Sequence, residues 1–200
     1  MTTITTAPFD GSNPSHVDGL AALFEASHCP CYCRYWHFTG DKNDWQQRCF
    51  VDVGENEREL REAAAASTDE ASGVVALAAG VVVGWSKVAP AAVVTKFYEQ
   101  RYYRGLNVLR SRPTDGVFTV GCMLVHPSFR QQGVAHALAL AAVDLARARG
   151  AASLEAFPRW TESRVSDEQH WMGPEDAFRE AGFTAVDPTP PYPVYRLALR

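Results

Sequence analysis

Thr119 to His136 reads T-V-G-C-M-L-V-H-P-S-F-R-Q-Q-G-V-A-H, and this stretch decides how the chain is understood. It begins within an apolar run, Val117 to Val125, broken only by Thr119 and Gly121. The run has no period of two, which is how a strand covered on both faces reads. Pro127 stops it, because proline has no N–H to give a ladder. A polar loop, Arg130-Gln131-Gln132-Gly133, follows, and then Val134, Leu138, Ala141 and Leu145 fall on one face of a helix. A strand, a glycine-bearing loop and a helix start in that order make an anion site. The first helical N–H groups have no partner within the helix, and the positive end of its dipole faces the loop. Gly133 lets a phosphate approach the backbone, and Arg130 adds a cation with a fork of donors.

Outward from this stretch the chain alternates strands and helices. Thr2 to Thr6 reads as a short strand, and Ser15 as the cap of a helix over His16–Ser27. A loop dense in cysteine and aromatic residues follows, H-C-P-C-Y-C-R-Y-W-H-F from His28 to Phe38. Helices are expected over Trp45–Val53 and Glu57–Ala66, the second capped by Asn56. Val74–Ala79 and Val81–Lys87, separated by Gly80, read as a hairpin. Val93–Arg104 is amphipathic, with Val94, Phe97 and Tyr102 facing inward. After the long helix, Ser153–Phe157 reads as a strand, Arg159–Gly173 as a loop, and Pro174 as the opening of a short helix ended by Gly182. Phe183–Val186 and Val194–Leu199 read as a closing antiparallel pair.

The bulk numbers narrow the class. Two hundred residues suit one domain over 1–200 with a full core. A net charge of −4 argues against a nucleic-acid partner, whose footprint is basic. The start, MTTITTAPFD, lacks a basic segment followed by an apolar one, and no apolar run is long enough to span a bilayer. A cytoplasmic protein with no membrane partner is expected. Its five cysteines then read as thiols, metal ligands or catalytic groups before disulfides.

The spacing Arg-x-x-Gly-x-Ala at Arg130–Ala135 is neither of the common glycine-rich nucleotide fingerprints. It resembles the pyrophosphate-binding motif of the GNAT acyltransferase superfamily. The order of elements and the A-G-F at Ala181–Phe183 are similar to that superfamily over nearly the whole chain. C-x-C-x-Y-W (Cys31 to Trp36), G-W-x-x-V-A-P (Gly84 to Pro90), Cys122 and E-A-F-P (Glu155 to Pro158) further resemble a subset with a cysteine pair after the first helix. The resemblance implies a mixed, mostly antiparallel α/β sheet of six to seven strands, splayed at its central strands, with helices on both faces. It implies acetyl-CoA, or another acyl-CoA, as co-substrate, and transfer to an amine of a small molecule or peptide by direct attack in a ternary complex, in a monomer or homodimer. The residues so implied to hold the cofactor are Met123, Leu124 and Val125 along the strand, and Arg130, Gln131, Gln132, Gly133, Val134, Ala135 and His136 in the loop and helix start.

The acid and base are not where the superfamily puts them. Phe178 stands where many relatives have a tyrosine, and Thr119 where many have a glutamate. Glu155, a lone carboxylate in an apolar strand, is the first candidate base, since burial would raise its pKa. Cys122 is the second, with His126, Tyr32 and Tyr35 behind it. The cysteine loop reads three ways: an acceptor pocket using Cys31, Cys33, Tyr32 and Trp36, with Tyr35, Phe38 and Trp45 as further aromatic walls; a hydrophobic cluster; or a metal or redox module. Its C-x-C-x-C spacing lacks the C-x-x-C of a zinc knuckle, so no metal ligand is assigned. A non-catalytic acyl-CoA-binding domain is the remaining alternative. Aromatic walls would suit an apolar or aromatic amine better than a polyamine.

Overall fold

The computed structural model describes residues 3–112, 114–160 and 166–199. Thr2 of the expected first strand, and residues 161–165 of the loop expected over 159–173, lie outside them. In chain order the elements are β1 (Ile4–Pro8), α1 (Pro14–Ala26), α2 (Lys42–Phe50), α3 (Glu55–Ala65), β2 (Gly73–Ala78), β3 (Val81–Pro90), α4 (Thr95–Tyr98), α5 (Asn107–Arg110), β4 (Val117–Val125), α6 (Val134–Ala148), β5 (Ser153–Ala156), α7 (Glu175–Glu180), β6 (Thr184–Asp187) and β7 (Val194–Ala198). The seven strands form one sheet in the order β1-β2-β3-β4-β5-β7-β6. Only β4 and β5 run parallel; every other neighbouring pair is antiparallel.

Both faces of the sheet are covered, which explains the apolar runs without alternation. Val74, Ala76 and Ala78 of β2 and Val83 of β3 face α6, whose Val134, Leu138, Ala142 and Ala146 are buried against them. Val75, Val82 and Trp85 point the other way, onto Leu20, Leu23 and Phe24 of α1 and Leu60 of α3. Each fully buried Leu, Val or Phe contributes about 1.5–3 kcal/mol, so these layers fix the central strands before any site chemistry. Gly84 lets α6 approach: a Cβ there would lie 2.7 Å from Val134 Cγ1 and 3.1 Å from Leu138 Cδ1. The start of α6 is thereby seated on β3, beside the end of β4.

Two features of β4 shape the site. Between the pairs Ser86↔Met123 and Val88↔Val120, Gly121 and Cys122 together oppose the single residue Lys87. This is a bulge, which bends a strand and increases its twist. On its other side β4 pairs with β5 only through Val117, Phe118 and Thr119. The two strands part at the bulge, and the sheet opens into a cleft beyond it.

Several local expectations shift. Asn13, not Ser15, caps α1, its side chain accepting from the Ser15 N–H. The second helix starts three residues before Trp45, because Asp41 and Asp44 form a capping box. Asn56 is buried inside α3, not capping it, and its amide donates to the Pro30 carbonyl at 2.8 Å. In the 93–104 segment Val94 and Phe97 are buried as expected, but the inward tyrosine is Tyr103, while Tyr102 is exposed. Only Thr95–Tyr98 is α-helical there, so a continuous helical face does not select Tyr102. Among the described residues no helix is long and apolar enough to cross a membrane.

Candidate active site

Two cavities flank the cleft. The first, about 580 Å³, is walled by Met123–Val125 of β4, the loop at Phe129–Gln131, the first turn of α6, the segment His28–Pro30, and His170, Trp171, Gly173 and Pro174. The second, about 400 Å³, lies on the other side of Cys122, between the cysteine loop and an aromatic layer around Phe97 and Tyr103. Trp171 borders both. Its ring stacks on Trp36 at 5.8 Å, and its carbonyl accepts the Met123 N–H at 2.8 Å.

The first cavity opens onto an uncapped helix N-terminus. Gly133, with φ 79°, turns the chain into α6, and no side chain caps the helix. The helix's leading N–H groups are thus left for a ligand at its positive end. Gln131, at φ 58°, is also left-handed, so two reversals in three residues fold the loop over the helix start. Of the residues expected to hold a cofactor, Met123, Leu124, Val125, Arg130, Gln131, Gly133, Val134, Ala135 and His136 line this groove. Gln132 does not; its amide donates to the Ser128 carbonyl at 2.9 Å and braces the loop from outside. The His136 ring lies near α7, with Nε2 3.4 Å from a Glu180 carboxylate oxygen and 3.9 Å from one of Asp176, which also lines the groove.

The three strand residues are not equivalent. The His126 N–H donates to the Val83 carbonyl of β3, whereas the Met123 N–H points away from β3, to Trp171. Main-chain direction alternates along a strand. Val125 therefore shares the open side with Met123, and Leu124, paired with Trp85, turns its N–H and carbonyl into the sheet. The expectation that all three offer main-chain groups to a ligand is corrected to two.

Glu155 is not a base in waiting. It is fully buried, and both carboxylate oxygens are occupied. Oε1 takes Arg196 Nη2 at 2.7 Å and Arg112 Nε at 2.9 Å, and Oε2 takes the Tyr98 hydroxyl at 2.8 Å. That hydroxyl also meets Thr119 Oγ1. Burial beside this carboxylate pushes the Tyr98 phenol well above its ordinary value. Two guanidiniums and a phenol occupy both oxygens of a fully buried carboxylate, so neither oxygen is open to a substrate. Its partners come from residues 98, 112 and 196, which no local pattern associates with it.

The cysteine loop divides between the cavities. Cys31, Cys33 and Trp36 line the second cavity, as does Cys122, whose Sγ accepts the Trp36 indole N–H at 3.2 Å. Tyr32, expected beside them, turns the other way: it is buried and stacked on Phe24 at 4.9 Å. Left-handed backbone at Tyr32 (φ 44°) and Cys33 (φ 55°) produces that reversal. Of the other aromatic residues expected there, Tyr35 and Trp45 line the second cavity and Phe38 does not. Cys29 borders the first cavity, and its Sγ lies 3.4 Å from that of Cys31. Cys31 keeps its proton, because its hydrogen bond to Cys29 and burial raise it; the same bond lowers Cys29 to about 7. Burial likewise raises Cys33 and Cys49. Among the described residues, no three His, Cys, Asp or Glu gather as a metal cage.

Cys29 is therefore expected to be alkylated by iodoacetamide before the other four thiols. Its rate should rise as pH passes through about 7 and level off above, as thiolate replaces thiol. Peptide mass mapping over a pH series checks this, and alkylation led by Cys33 or Cys49 would contradict it.

Trp171 and Met172 were missed from sequence, as was the aromatic layer of Phe97, Tyr103 and Tyr192. Trp171 stands in a polar stretch without periodicity, and only a contact across the cleft gives it a place.

The family model described as Acetyltransferase (GNAT) family matches residues 35–163, well over half of the chain. The chain belongs to this family. Among solved structures, an N-acetyltransferase from Staphylococcus aureus Mu50 superposes with a TM-score of 0.54 at 11% identity, covering 100% of both chains. The PaiA N-acetyltransferase from Thermoplasma acidophilum, solved in complex with coenzyme A, gives 0.53 at 8% identity, over 98% of this chain and 99% of that one. An aminoglycoside 6'-acetyltransferase type Ii gives 0.53 at 13%, over 98% and 97%. At such identities the likeness shows the fold: a mixed, mostly antiparallel seven-stranded α/β sheet. No curated protein matches the chain by sequence.

Proposed function

We propose that this GNAT-family chain is an acyl-CoA-dependent N-acyltransferase. It moves an acetyl group from acetyl-CoA to an amine of a small molecule or peptide by direct attack with both substrates bound. The observation that carries the reading is the pair of cavities meeting at Cys122, Met123 and Trp171, where β4 parts from β5. The coenzyme A complex of the Thermoplasma relative supports the choice of co-substrate.

In this reading the diphosphate lies on the leading N–H groups of α6, with Arg130 as counter-charge. The pantetheine arm lies along the open edge of β4 and is hydrogen-bonded by Val125 and Met123 as an added strand would be. The Met123 N–H exchanges the Trp171 carbonyl for the arm or the thioester oxygen, where it stabilises developing negative charge. The amine approaches from the second cavity, past Cys31, Cys33, Trp36 and Cys122. Attack forms the N–C bond and breaks the C–S bond, and coenzyme A leaves as the thiol. The Cys122 thiol, already bonded to an indole N–H, is placed to relay that proton. Residues 1–200 act as one acyltransferase domain of the C-x-C subset, in the cytoplasm, as monomer or homodimer.

Isothermal titration with acetyl-CoA tests the donor site, and release of free thiol in the presence of an amine panel tests transfer. Saturable binding together with amine-dependent thiol release is expected. Absence of binding at millimolar acetyl-CoA would end the proposal.

A further inference from the structure

We propose that the acceptor is a weakly basic aryl amine, its amino group carried directly on an aromatic or heteroaromatic ring, and that it reacts as the neutral amine it already is at neutral pH. This rests on the acyl-CoA-dependent transfer proposed above and names its second substrate.

Three observations carry it. The first is the shape and lining of the acceptor cavity. Its volume, about 400 Å³, falls in the range of small-molecule sites, roughly 300–1,000 Å³. Its walls are rings in mutual contact: Trp36 on Trp171, Phe97 on Tyr103 with planes only 9° apart, and Tyr102 on Tyr192 at 4.7 Å. Flat, rigid faces of this kind favour a flat apolar guest.

The second is charge. Among the described residues lining the cavity no carboxylate, lysine or arginine occurs; its polar groups are thiols, tyrosine hydroxyls and the Gln100 amide. Behind the Cys33–Cys122 wall lies a buried cation, Lys87. Its stem crosses Gly121, and its ammonium donates to the Glu70 carbonyl, a neutral group. A polyamine or aminoglycoside entering here would find no counter-ion among the residues that line the cavity. Ring faces alone do attract ammonium ions, but they hold the protonated form, which has no lone pair to attack with.

The third is the fate of Glu155. The carboxylate best placed by sequence to deprotonate an alkylammonium is locked between Arg112 and Arg196. A neutral aryl amine needs no such group before attack. Its nitrogen lone pair adds to the thioester carbonyl, the N–C bond forms and the C–S bond breaks. The nitrogen then loses one proton, which ends on the coenzyme A sulfur. The products are the anilide and free coenzyme A.

The test compares 4-methoxyaniline and 2-aminonaphthalene with 2-phenylethylamine and spermidine, following acetyl-CoA-dependent thiol release. At neutral pH kcat/KM for the aryl amines should exceed that for 2-phenylethylamine by about tenfold or more and stay flat as pH rises, while the alkylamine gains with its unprotonated fraction. Separately, 2-aminonaphthalene should quench tryptophan fluorescence of the coenzyme A-saturated protein, through Trp36, Trp45 and Trp171. Tyr102→Ala, which removes an exposed wall ring, should weaken that binding about threefold or more. Preference for spermidine or 2-phenylethylamine at neutral pH would overturn the proposal, as would no quenching by 2-aminonaphthalene. If coenzyme A binds by calorimetry but no aryl amine is turned over, the acceptor assignment falls and the donor site stands. If coenzyme A does not bind, both fall.

Discussion

Glu155→Gln is expected to lower the stability of the protein before it reveals anything about catalysis. The substitution keeps the shape of the side chain and removes its charge, leaving Arg112, nearly buried, and Arg196 without their shared carboxylate. Breaking a buried ion pair from one side costs about 3–5 kcal/mol, because a buried charge loses a compensating partner. In a chain of this size 1 kcal/mol corresponds to roughly 2–4 °C, so the thermal midpoint should fall by about 10 °C or more. The Tyr98 and Thr119 hydroxyls, tied to the same carboxylate, would add to the loss. Thermal unfolding followed by circular dichroism is the measurement. A variant that kept its midpoint but lost turnover would reinstate Glu155 as a base. Replacing all three charged partners together with apolar residues should recover stability that the single change loses, since the network's cost is the unpaired charge.

Arg130→Ala is expected to weaken coenzyme A binding while leaving the fold intact. Arg130 lines the donor groove at the loop before α6 and lies near the end of β4, with Nε 3.5 Å from the Val125 carbonyl. A hydrogen bond between charged groups is worth about 1.5–3 kcal/mol, so the dissociation constant should rise roughly 10- to 100-fold. The loss should shrink with added salt, as a screened charge pair does. Gly133→Ala acts on the same ligand through the backbone. A Cβ at Gly133 meets nothing within 4 Å, so its cost is the left-handed conformation itself, about 1–2 kcal/mol. Gln132→Ala serves as the contrast: its side chain braces Ser128 outside the groove, and its effect on affinity should be small. Calorimetry on the three variants separates these outcomes. An Arg130→Ala protein that bound coenzyme A as tightly as the parent would remove the cation from the diphosphate site.

The groove along β4 and the start of α6 was legible because its signals are local. An apolar run, a proline stop, a left-handed glycine and a helix face follow one another within some thirty residues, each with its own physical reason. The second cavity was legible only in composition. The loop His28–Phe38 announced that cysteines and aromatics would matter, but not which of them would face the cavity. Two left-handed residues send Tyr32 into the core and Tyr35 into the wall, and nothing in their neighbours requires it. Glu155 misled for a related reason. Alone in its strand it looked unpaired, yet its partners arrive from three distant segments.

By itself, then, the chain of amino acids determined the order and type of the elements, the coverage of the sheet on both faces and the left-handed turn at Gly133 before an uncapped helix. Those depend on neighbours a few positions apart, through period, capping and backbone freedom. Tertiary structure alone decided that β4 parts from β5 at the Gly121–Cys122 bulge, that Trp171 bridges two cavities, and that Glu155 is locked while the Cys29 and Cys31 thiols face each other between them. Burial and charge pairing at one residue are set by groups brought in from elsewhere in the chain, and their energies have no imprint on local sequence.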